Sequence, residues 1–142
     1  ILQIMGDGTN YSRRDRLEIN ITDDVPAAAK ALRFALFRLA TAGTGGGAPA
    51  KTPHDAGDGA YAGGGMSLPT AKGVEGALLR AFRLPVPAAH PIVSSYVWEA
   101  HTRAKEYVFG TAITNGIALK IITGVASCAV EVIAEFYLTS FL

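Results

Sequence analysis

Residues 107–142 read YVFGTAITNGIALKIITGVASCAVEVIAEFYLTSFL, and the assignment of this stretch decides the fold. It carries only three charged residues, Lys120, Glu131 and Glu135. At about 100° per residue, Lys120, Thr123, Gly124, Ser127, Glu131 and Glu135 gather within about 120° of one side. The remaining surface is Ile, Leu, Val, Ala and Phe. The spacing therefore predicts a long apolar C-terminal helix over about 111–142 with a narrow polar stripe.

Three environments suit such a helix. Residues 117–142 are long enough to cross a hydrocarbon layer of about 30 Å, with Gly124 and Ser127 as small contact residues. Lys120 and the two glutamates would each cost about 2.5–3.5 kcal/mol near the bilayer centre, and Glu131 falls near mid-span. A helix buried between the subunits of an oligomer hides the same apolar side without that cost, and is the favoured environment. A central helix in the domain's own core is the third. The candidate interface residues on this segment are Gly116, Lys120, Gly124, Ser127, Glu131 and Glu135.

Upstream, Ile92, Val93, Tyr96, Val97, Ala100, Ala104, Tyr107 and Val108 recur at a spacing of three to four, with Glu99, Thr102, Arg103 and Glu106 opposite. That pattern predicts a helix opened by His90-Pro91, since proline suits a first turn. A shorter helix is expected from about Ala71 to Leu84, weakened by Gly73 and Gly76. Residues 25–40 give the strongest helix signal. Asp23-Asp24-Val25-Pro26 forms a start signal, Val25, Ala28, Ala29, Leu32, Ala35, Leu36 and Leu39 form a stripe, and Gly43 ends it.

Residues 41–66 hold nine of the 16 glycines and show no apolar period. A segment of this composition reads as a Gly/Ala-rich linker or an extended arm within one domain spanning 1–142. At the N-terminus, Leu17-Glu18-Ile19-Asn20-Ile21-Thr22 alternates apolar and polar residues, as a half-buried strand does. Together with Ile1–Met5 it predicts a short β-ribbon. The class expected is thus α+β, mainly helical: an N-terminal β-ribbon, three to four helices and the long apolar C-terminal helix.

Composition limits the function classes. Thirteen basic residues against 12 acidic ones remove any global electrostatic case for a nucleic-acid partner. Charged residues make up only 18%, and the mean hydropathy is +0.25, so apolar surface is expected to be covered by another chain or by lipid. Cys128 is the single cysteine, which excludes an intrachain disulfide and a disulfide-stapled secreted fold. No secretory leader is recognisable, and a reducing compartment or a membrane-associated or organellar setting is expected.

Chemistry-bearing motifs are sparse. Glu131 and Glu135 at i,i+4 resemble the carboxylate pairs of helix-bundle metal sites, but no Glu-x-x-His accompanies them. His54, Asp55 and Asp58 lie in the glycine-rich tract, His90 precedes a proline, and His101 lies on a wet helix side; none matches zinc spacing. Gly6-Asp7-Gly8 lacks the rest of a dinucleotide fingerprint, and no phosphate loop or nucleophile elbow occurs. Arg13, Arg14 and Arg16 beside Tyr11 form a small basic cluster that alternates with Asp15, as solvated loops do.

No catalytic, cofactor-binding or metal-binding residue is therefore expected. The leading expectation is a non-catalytic structural or accessory subunit of a larger assembly, bound to other protein subunits through the C-terminal helix, with a membrane contact through 117–142 as an option. The alternative is a small homo-oligomeric enzyme or ligand-binding protein with an apolar pocket between helices, using His101, Glu131 or Glu135 as polar groups.

Overall fold

The computed structural model describes residues 2–23, 30–53, 57, 61–86, 95–100, 107–109, 112, 114–123 and 129–139. Among them there is no helix. The strands are β1 (Leu2–Met5), β2 (Tyr11–Asp23), β3 (Lys30–Leu39), β4 (Gly65–Ser67), β5 (Glu75–Val86), β6 (Ser95–Glu99), β7 (Tyr107–Phe109), β8 (Gly116–Thr123) and β9 (Ala129–Thr139). All pairings are antiparallel. One sheet, here sheet A, has the order β4-β1-β8-β3-β5. In sheet B, β2 is central. It pairs with β9 from Tyr11↔Thr139 to Asp23↔Ala129 on one side, and on the other with β6 and then β7, end to end.

The two sheets enclose one core. Leu17, Ile19 and Trp98 from sheet B meet Ile4, Leu32, Phe34, Leu36, Leu84, Val86, Ile117 and Leu119 from sheet A. Along β3 the buried Leu32, Phe34 and Leu36 alternate with Arg33 and Ala35, so side chains two apart share the inner face. Along β9, Val130, Val132, Ala134 and Phe136 pack inward. Rings bind the sheets together: Phe34 stacks on Phe82 at 5.3 Å, and Phe82 stacks on Tyr96 of the opposite sheet at 4.2 Å. Such pairs contribute about 0.5–1.5 kcal/mol each beyond their buried area.

The expected helices are corrected throughout the described residues. The 25–40 segment contributes β3, with 24–29 outside the described residues. The 71–84 segment contributes most of β5, the 92–108 segment contributes β6 and β7, and the C-terminal segment contributes β8 and β9. The physical reason is an alias between the two periods. Residues four apart share a face in a helix and equally in a strand, so Leu32/Leu36 and Glu131/Glu135 fit both. Burial of both faces of a central strand then fills the intervening positions with apolar residues. In β3 and β8 that role falls to Ala35 and Ala118, which are 3% and 4% exposed.

The N-terminal alternation does lie in a strand, β2, but β1 and β2 belong to different sheets and form no hairpin. With no helix among the described residues, the membrane-spanning helix over 117–142 is also corrected: none there is long and apolar enough to cross a bilayer. The lone cysteine leaves no intrachain disulfide.

Beyond Leu39 and Glu75, β3 and β5 continue as a paired ribbon that curls back to the far edge of sheet A. Ala40 N–H donates to the Val74 carbonyl at 3.0 Å, and bridges Thr44↔Ala71 and Gly47↔Ser67 follow. The ribbon then delivers β4 to β1. The close approach explains its glycines: a side chain on Gly43 would collide with the Ala71 carbonyl oxygen. In the actual chain Gly43 N–H donates to the buried Gln3 Oε1 at 2.8 Å. Beneath the ribbon, Met5, Leu39 and Ala118 form a second small core.

Candidate interaction faces

Each sheet turns its second face outward, and the two outer faces differ in charge. On sheet B, the alternation of β2 that buries Leu17 and Ile19 sends Arg16, Glu18 and Asn20 out. Register places Glu99 and Glu135 on either side of Arg16, Val97 and Ile133 beside Glu18, and Ser95 and Glu131 beside Asn20. The Arg16 guanidinium pairs with Glu18, and with Glu99 and Glu135 at 3.4 Å each. Asn20 Nδ2 donates to Glu18 at 2.9 Å and to Glu131 at 3.4 Å. Three carboxylates thus share one guanidinium and a fourth, Glu131, accepts from Asn20, so acidic groups outnumber basic ones among the described side chains of this face. Val97, Ile133 and Tyr137 stand among these charges, 46%, 39% and 39% exposed.

The outer face of sheet A is basic and apolar. Arg33 and Arg83 are exposed and sit directly opposite each other across β3 and β5. Like charges in this position repel, and among the described residues neither has an ion-pair partner. Farther along, Lys120 Nζ reaches both oxygens of Glu75 and lies 5.7 Å from the Phe37 ring centroid. Leu78 and Ile122, more than half exposed, add apolar area beside this pair.

The six residues of the expected helical stripe are therefore dispersed. Gly116 opens β8 opposite Met5 and is buried; a side chain there would strike the Ile4 carbonyl oxygen. Lys120 lies on the outer face of sheet A. Glu131 and Glu135 lie together on the outer face of sheet B, as their spacing required, but on the other side of the sandwich from Lys120. Gly124 and Ser127 lie outside the described residues, as do Cys128, His54, Asp55, Asp58, His90 and His101. The pocket imagined between helices has no helices to line it among the described residues.

The sequence reading missed the Glu75–Lys120 pair and the Arg33–Arg83 juxtaposition, because it placed the two members of each on separate helices. Glu18 and Asn20 were legible on one strand face from their alternation, whereas Arg13, Arg14 and Arg16, expected in a solvated loop, lie within β2. Asp7 is local architecture: its Oδ1 accepts from Thr9 and Asn10 N–H groups at 2.8 and 2.7 Å, closing the β1–β2 turn. Among the described residues, no group of three or more His, Cys, Asp or Glu is placed to hold a metal ion.

No family model, curated protein or solved structure matches this chain. The functional reading rests on the faces themselves.

Proposed function

We propose that the chain is a non-catalytic structural subunit that packs against other protein subunits through the outer faces of its sandwich. The carrying observation is the exposure of Val97, Ile133 and Tyr137 within a fixed lattice of charges on sheet B. An interface favours this mixture: apolar and aromatic side chains supply the buried area, and the surrounding charges supply register and exclude wrong partners. The strands hold these side chains in fixed rows, so the face needs little ordering on docking. The anchor in this reading is a sheet face, replacing the C-terminal helix.

Light scattering after size-exclusion chromatography, across a concentration series, tests the proposal. A mass that climbs above 14.8 kDa with concentration supports it. A monomer at every concentration contradicts it.

A further inference from the structure

From the opposed charges of the two outer faces we infer that the partner is a second copy of this chain: the acidic face of sheet B docks on the Arg33–Arg83 face of sheet A of the next molecule. This inference rests on the assembly reading above and names its partner and its orientation. Arg33 and Arg83 are held opposite each other with no carboxylate partner among the described residues. The same molecule carries on its far side Glu18, Glu99 and Glu135 around Arg16, with Glu131 beside Asn20, so four carboxylates stand against one guanidinium among the described side chains there. Among the described residues, each face therefore holds in excess the charge in which the other is deficient.

Apolar groups match as well. Ile133 and Val97 protrude from one face, and Leu78 and Ile122 from the other. Two sheets stacked about 10 Å apart would interleave these side chains, as the inner faces of a sandwich do.

Because the two patches differ, the contact is head-to-tail. Such contacts repeat into rings or open filaments rather than closing as a two-fold dimer. The contact is also small. Three strands spaced about 4.8 Å apart, over roughly 20 Å of length, cover much less than the roughly 800 Å² per partner of a standard stable interface. Association through one contact is accordingly weak, concentration-dependent and sensitive to salt.

Charge reversal tests this. One variant carries Glu99→Lys with Glu131→Lys, and the other carries Arg33→Glu with Arg83→Glu. Wild-type protein should associate at low ionic strength and disperse at about 1 M salt, where the screening length is about 3 Å. Each variant alone presents two faces of like sign and should remain monomeric. An equimolar mixture should associate again, because the intact Arg33–Arg83 face of the first variant meets the intact acidic face of the second and the two altered faces also complement each other; this recovery also shows that both variants fold. Wild-type assembly that either variant reproduces alone, or a mixture that stays monomeric, overturns the face assignment while leaving the assembly reading intact. A wild-type monomer at every concentration overturns both.

Discussion

Lys120 donates to both carboxylate oxygens of Glu75, at 2.9 and 3.2 Å, from two strands that flank β3. The side chains are 26% and 23% exposed, so the pair is partly shielded from water. Removing one partner strands the other charge beside the Phe37 ring. Glu75→Gln should therefore cost about 1 kcal/mol, while Lys120→Met combined with Glu75→Leu should come close to neutral. Urea unfolding of the single and double variants measures both, and the difference gives the coupling.

The ring column through the core should dominate stability. Phe34 is 1% exposed and stacks on Phe82, which in turn stacks on Tyr96 of the opposite sheet. Phe34→Ala should cost about 3–5 kcal/mol. Phe82→Leu keeps much of the volume but breaks both stacks, and should cost about 1–3 kcal/mol. Denaturation midpoints at unchanged slope provide the comparison.

Two glycines give opposite expectations. At Gly116 a methyl group would strike the Ile4 carbonyl oxygen, whereas at Gly76 the nearest atoms lie at 3.6 and 3.7 Å. Gly116→Ala should destabilise by about 1–3 kcal/mol through strand displacement. Gly76→Ala should stay within about 0.5 kcal/mol of wild type. Comparable melting temperatures for the two variants would contradict the close β1–β8 approach.

The sequence made some of this legible. Leu17-Glu18-Ile19-Asn20 shows its strand openly because polar residues fill every second place. Val130-Glu131-Val132-Ile133-Ala134-Glu135-Phe136 has a similar alternation, but Ile133 interrupts the polar row, and the apolar length around it suggests a helix. Lys30-Ala31-Leu32-Arg33 is made of strong helix formers, whose weak intrinsic preference is overridden by pairing with β5 and β8. The acidic face was half visible, in the shared face of Glu131 and Glu135. Its other half depends on β6 and β2 being neighbours of β9 or of each other, a long-range pairing that local periodicity does not encode.

Asp7 should leave a pH signature. Partial burial raises its carboxyl, but hydrogen bonds from the Asn10 side chain and from the Asn10 and Thr9 N–H groups outweigh this and hold it below the ordinary aspartate value. A native value below the unfolded one means the stabilisation is complete above the unfolded value of about 3.9, and is lost as pH falls through the native value. Asp7→Asn should therefore be less stable than wild type near neutrality, with the gap closing below about pH 4. Thermal melts of both proteins across that range measure the gap.

The outward row on β9 carries the functional account, and its two-residue period is directly measurable. In a Cys128→Ser background, single cysteines at positions 130–137 can be labelled with a maleimide in high salt, and the rates compared along the strand. Positions 131, 133, 135 and 137 should react fast and 130, 132, 134 and 136 slowly, because the first set faces solvent and the second packs toward the core. Rates that instead rise and fall every three to four residues would place a helix here, and would remove the acidic face together with the assembly built on it.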